Sequence, residues 1–195
     1  MFKKYKQMIN DALDTVDEEI LKNVFNTIVD SALYKKPVLV MGNGGSAAIA
    51  EHWSCDHTKG VKTDVHDMFP CVRNLAANMS LMTAIANDMS YDEVFSKQIE
   101  YESSLYATVI AISSSGNSPN ILKGLEMARK KNYSTIAFVG FDGGKILEEK
   151  LACKVVHVNA DNYGVVEDCH QILMHSLAQQ IRIIFSEKEK STLRL

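Results

Sequence analysis

The stretch "VLVMGNGGSAAIAEHW", residues 38–53, decides the fold. Four apolar residues lead into Gly42, Asn43, Gly44, Gly45 and Ser46. A helical pattern follows, with His52 beside the only tryptophan, Trp53. A β-branched run that leaves through a glycine loop into a helix reads as a strand, a tight turn and a crossover. The stretch "ATVIAISSSGNSPNIL", residues 107–122, repeats the design with hydroxyls in the loop.

Further runs of the same kind lie at 134–140 ("STIAFVG") and 153–159 ("CKVVHVN"), with a weaker one at 70–75 ("PCVRNL"). Such runs suit strands buried on both faces of a parallel sheet. Helical patterns separate them at 47–58, 80–85, 91–100, 120–131, 145–151 and 165–186. Apolar positions at Met8, Ile9, Leu13, Val16, Ile20, Val24, Ile28 and Leu33 predict one long helix over about the first 34 residues. Alternating strands and helices predict an α/β doubly wound domain, with a flavodoxin-like five-stranded parallel sheet flanked by helices. Neither linker nor repeat divides the chain, so residues 1–195 read as one domain.

Composition narrows the function. Of 195 residues, 46% are hydrophobic and 23% charged, as in an ordinary soluble globular chain. A net charge of −3 gives no pull toward nucleic acid. No apolar run reaches the ~18–20 residues that a membrane span needs. The N-terminus lacks the apolar core of a signal peptide, and Cys55, Cys71, Cys153 and Cys169 form no C-x-x-C pair. A cytoplasmic protein with reduced thiols is the expectation. The charged tail "EKEKSTLRL" reads as partly loose.

In a doubly wound sheet, ligands bind beyond the carboxyl ends of the strands. Both loops fall there. "GNGGS" lets backbone N–H groups and a helix N-terminus approach an anion. It also fits a plain turn capped by Ser46. Gly42, Gly44 and Ala47 match G-x-G-x-x-A, but the next candidate strand ends in Arg73 and Asn74, without the acid that holds a ribose. No nucleotide cofactor is therefore expected. The other loop carries Ser113, Ser114, Ser115 and Ser118 around Gly116 and Asn117. Four hydroxyls and the amides of a helix start can wrap one phosphate monoester without a lysine. Ser118 and Pro119 also suit a helix start. His52 and Asp56 stand four apart on one helix face, a usable metal half-site that is also common as a surface pair. A lone His175 amid "QILMHSLAQQI" is ordinary in a core, and Glu167 and Asp168 also suit a helix start. Asn87 and Asp88, by themselves, suit a turn between helices.

The chain resembles the SIS (sugar isomerase) family, and within it the phosphoheptose isomerases. The carriers are "GNGGSAAIAEHW", "AIANDMSYDEVFSKQIE", "ISSSGNSPNI" and "VEDCHQILMH", in the family's order. The resemblance implies conversion of sedoheptulose 7-phosphate to D-glycero-D-manno-heptose 7-phosphate, for heptose in bacterial lipopolysaccharide or capsule. It implies a homotetramer with sites between subunits, the N-terminal helix serving assembly. Asn43, Gly44, Gly45, Ser46, Ser113, Ser114, Ser115 and Ser118 would hold the substrate, with Asn87, Asp88 and Glu167. Asp56 and His175 would form the acid/base pair. In some members four residues hold zinc, matched here by His52, Asp56, Glu167 and His175. Asp56 stands where Glu is usual, and Glu167 where Gln is usual. Glu167 and His175 lie about 12 Å apart along one helix axis, a long span for one ion. The alternatives are a non-catalytic SIS protein that binds a sugar phosphate, and an isomerase of another phosphorylated ketose.

Overall fold

The computed structural model describes residues 1–61 and 70–186. One expectation, the loose tail after Ser186, lies outside the described residues. Five strands form one parallel sheet in the order β2-β1-β3-β4-β5: β1 (Val38–Gly42), β2 (Val72–Asn74), β3 (Thr108–Ser113), β4 (Ser134–Val139) and β5 (Lys154–His157). Every residue of β1 and β3 is buried, because helices cover both faces. Alternation along the strands divides the core. Val38 and Val40 of β1, with Ile110 and Ile112 of β3, point to one face. Leu39 and Met41, with Val109 and Ala111, point to the other.

The first face is covered by α2 (Glu18–Leu33), α3 (Gly45–Cys55) and α8 (Tyr163–Phe185), through Val24, Ile28, Trp53, Met174 and Leu177. The second is covered by α4 (Met79–Asp88), α5 (Ser96–Glu100), α6 (Pro119–Lys130) and α7 (Gly144–Glu148), through Ile85, Ile99, Ile121, Leu125 and Ile146. From β1 the chain runs outward to β2, and from β3 it runs the other way to β4. The order therefore reverses between β1 and β3, which makes the topological switch point where such sheets bind ligands. The two glycine and serine loops meet there.

Local departures from the expected elements have physical causes. The N-terminal helical segment is interrupted: α1 (Phe2–Leu13) stops before α2. Thr15 Oγ1 bonds Ala12 O at 2.6 Å, and Asp17 accepts from the Glu19 and Ile20 amides as a new N-cap. The segment expected as a helix over 91–100 is a 3₁₀ turn (Tyr91–Glu93) followed by α5, because Val94 and Phe95 between them turn into the core. After α3 the chain widens into a π turn (Asp56–Gly60), closed by the Val61 amide on Asp56 O at 2.8 Å. The weak strand at 70–75 shrinks to three residues at the sheet edge. Among the described residues no helix is long and apolar enough to cross a membrane.

Two histidines belong to the core. His57, in the π turn, is fully buried 5.4 Å from the Trp53 ring, and burial pushes its pKa down to about 3. His170 on α8 faces Val139 O at 3.3 Å, and burial lowers it to about 4. Both pKa values lie below the unfolded value near 6.5, so the neutral rings stabilise the fold above that pH. As pH falls below 6.5 the unfolded chain takes up protons that the folded chain refuses. Each histidine should remove about 2 kcal/mol by pH 5. Urea unfolding followed by the buried Trp53 should show a lower midpoint at pH 5 than at pH 7, with an unchanged slope. Equal midpoints would contradict this account of the two rings.

Candidate active site

The serine loop starts inside the sheet. Ser113 is the last residue of β3, and the loop turns at Gly116 with φ +64°. That turn presses Gly116 onto the backbone oxygen of Gly143, so any side chain there would collide with main chain. The Gly116 amide bonds Ser113 O at 3.0 Å, and the Gly140 amide bonds Ser114 O at 2.8 Å. These bonds fix the backbone and leave side chains free. The Ser114 hydroxyl is buried and has no hydrogen-bond partner among the described residues. Ser118 occupies the N-cap of α6 with Pro119 next, but its hydroxyl does not bond the helix amides. Ser115 Oγ accepts only weakly from the Asn117 amide, at 3.3 Å.

Together with Asn43 and Ser46 of the glycine loop, these serines line a cavity of about 170 Å³. Tyr163 and Glu167 of α8 close it. Neither lysine nor arginine lines it among the described residues. The cavity offers hydroxyls and the start of α6, which suit a small anion, whereas the Glu167 carboxylate rests on Gly45 at the start of α3. Asn43 is held from two sides. It exchanges two bonds with Asn120, at 2.8 and 2.9 Å, and accepts from the Tyr91 hydroxyl at 3.0 Å.

The titratable cluster lies farther along α3. His52 is seven residues from Gly45, about 10 Å along the helix. Its Nε2 stands 3.4 Å from Asp56 Oδ1, and Asp56 Oδ2 stands 3.4 Å from His175 Nε2. The two imidazoles meet edge to face at 4.8 Å between centroids. Gln171, one turn before His175, places its amide nitrogen 3.1 Å from His52 Nδ1 and 3.0 Å from His175 Nε2. The side chains remain open to solvent: 49% for His52, 26% for Asp56 and 43% for His175. Proton exchange with a ligand is therefore physically accessible.

The donor set suits a divalent ion. Ligand atoms of His52, Asp56 and His175 lie within 4.8 Å of one another. The Nε2 atoms of His52 and His175 each stand 3.4 Å from a different oxygen of the Asp56 carboxylate.

The residues singled out in the sequence thus fall into three places. Asn43, Ser46, Ser113, Ser114, Ser115, Ser118 and Glu167 share the serine cavity, while Gly44 and Gly45 stand beside it at the start of α3 and do not line it. His52, Asp56 and His175 share the cluster. Glu167 packs its carboxylate against Gly45, at the opposite end of α3 from Asp56. Asn87 and Asp88 end α4, bonded to each other at 2.9 Å, and line neither place within this chain. Gln171, Tyr91, Asn120 and Tyr163 went unremarked in the sequence. Gln171 had a readable signal, since residues four apart share a helix face.

The SIS domain family model matches residues 2–140. The chain belongs to the SIS domain family. A phosphoheptose isomerase of Helicobacter pylori (strain P12) is 31% identical over 187 residues, 96% of this chain and 95% of that protein. A probable phosphoheptose isomerase of Thermoplasma volcanium is 33% identical over 177 residues, 91% and 88% of the two chains. The structure of phosphoheptose isomerase from Neisseria gonorrhoeae superimposes with a TM-score of 0.82 at 26% identity, covering 92% of this chain and 94% of that one.

Proposed function

We propose that the chain is a ketose–aldose isomerase that converts sedoheptulose 7-phosphate to D-glycero-D-manno-heptose 7-phosphate. The observation that carries this reading is the cluster of His52, Asp56 and His175. Segments more than a hundred residues apart in sequence bring a carboxylate within 3.4 Å of two imidazoles. Proton transfer between neighbouring carbons needs such a group. Relatives named phosphoheptose isomerase along nearly the whole chain support the choice of substrate.

The chemistry needs proton transfer and no net redox change. A base takes a proton from C1 of the ketose, the electron pair moves through C1–C2 onto O2, and O2 takes up a proton to give an enediol. A proton then returns to C2 while O1 gives up its own, leaving the aldehyde at C1. Asp56 and His175 share this work, since each reaches the other and the open side of the site. His52, Asp56 and His175 would hold a divalent ion such as zinc, which would supply Lewis-acid polarisation of the carbonyl. Ser113, Ser114, Ser115 and Ser118 hold the phosphate about 10 Å away, at the start of α6 and beside that of α3, so the sugar lies along α3. The test is incubation with sedoheptulose 7-phosphate, followed by NMR. The product class serves heptose for lipopolysaccharide or capsule, in the cytoplasm.

The same reading makes the protein a homotetramer with sites shared between subunits. Among the described residues Asn87 and Asp88 line neither the serine cavity nor the histidine cluster, which suits residues that complete a neighbour's site. Phe2 on α1 and Ile172 and Ile184 on α8 are exposed apolar residues suited to an interface. Light scattering at low micromolar concentration should report about four chains. A stable and fully active monomer would refute the assembly.

A further inference from the structure

We propose that Gln171 is a positioning residue of the acid/base and metal cluster, and that Glu167 is not a metal ligand in this chain. This deepens the isomerase reading and rests on it. Residues 167, 171 and 175 succeed one another along one face of α8 at intervals of about 6 Å. His175 is in the cluster. Glu167, about 12 Å upstream, has its carboxylate on Gly45 in the serine cavity. Gln171 lies between them, and its amide nitrogen reaches both histidines, at 3.1 and 3.0 Å.

The contact with His52 has a directional consequence. His52 faces Asp56 through Nε2 and Gln171 through Nδ1, its two opposite nitrogens. What Gln171 presents at Nδ1 therefore decides what Nε2 can do. When the amide nitrogen donates to Nδ1, the ring proton sits on Nε2. When the amide turns to present its oxygen, His52 Nδ1–H donates to it and the His52 Nε2 lone pair is free to bind a cation, whereas His175, which the same amide meets at Nε2, binds one through that nitrogen only once this contact opens. An outer hydrogen bond of this kind orients a ligating histidine and sets its tautomer. An amide does this without adding a second negative charge beside Asp56. The Glu167 carboxylate, in the serine cavity, is placed to accept hydrogen bonds from a sugar.

Titration of metal-stripped protein with Co²⁺, read by its visible absorption, separates the two residues. Gln171→Leu should weaken Co²⁺ binding at least ~10-fold. It should also lower kcat while KM stays within about twofold, since the phosphate loop is untouched. Gln171→Ala is the second variant should the leucine disturb folding, and thermal unfolding checks both. Glu167→Gln should bind Co²⁺ within about twofold of wild type, on the same reasoning about outer ligands. The proposal is overturned if Glu167→Gln weakens Co²⁺ tenfold. It is equally overturned if neither Gln171 variant changes the affinity, or if wild type binds no Co²⁺ at millimolar concentration. The isomerase reading is judged separately. Turnover of sedoheptulose 7-phosphate with unaltered Co²⁺ binding by the Gln171 variants would leave that reading standing and remove this one. Weakened Co²⁺ binding in a protein that does not turn the sugar over would do the reverse.

Discussion

His175→Ala lowers kcat by ~10²-fold or more, the usual scale for an acid/base group, and leaves KM near wild type. His175 Nε2 faces Asp56 Oδ2 at 3.4 Å and is 43% exposed, so it can exchange protons with a bound ligand. Histidine is the side chain whose ordinary pKa lies nearest neutral pH. Its removal leaves the serine cavity intact, because that cavity is built from β3, the two loops and the start of α8. Asp56→Asn should lower kcat similarly, since an amide cannot take a proton from carbon. The fold should survive both changes, since each side chain is partly exposed and neither belongs to the core clusters. Steady-state kinetics with thermal unfolding as the control decide the matter. Turnover near wild type in His175→Ala would return this histidine to an ordinary structural role.

Ser114→Ala raises KM by roughly 10–150-fold, because a lost hydrogen bond to a charged group is worth about 1.5–3 kcal/mol. The buried hydroxyl of Ser114 lines the cavity and has no hydrogen-bond partner among the described residues. A buried hydroxyl without a partner is unfavourable, and a phosphate oxygen would satisfy it. The two properties move in opposite directions. Without ligand the variant should be as stable as wild type or more so, because it removes an unsatisfied group. With ligand it should lose affinity. A variant that loses stability but keeps its KM would show that the hydroxyl serves the fold.

The legible parts of the fold are those whose signal is local. Continuous apolar runs at β1, β3 and β4 announce strands buried on both sides, and the helices between them follow from period. The break between α1 and α2 is harder to read. Leu13, Val16 and Ile20 keep helical spacing across it, and the interruption shows only in Thr15 and the Asp17 cap. The π turn at Asp56 has no periodic signature at all, yet it ends α3 where Asp56 meets His175. The serine cavity was readable from four hydroxyls beside a glycine. Gln171 showed only its four-residue spacing from His175, because a neutral amide amid "CHQILMH" carries no charge pattern. Its importance arises only from the α3–α8 packing that brings it to His52. Glu167 looked equivalent to a ligand on the strength of resemblance, and one helix-axis distance separates its location from the cluster.

The most direct test of the central claim is the reaction itself, run with sedoheptulose 7-phosphate in D₂O and followed by NMR. An acid/base pair open to solvent should exchange the transferred proton during the enediol stage. The account predicts that an aldoheptose 7-phosphate forms and carries deuterium at C2. Unchanged sedoheptulose 7-phosphate after prolonged incubation, with and without added zinc, would contradict it.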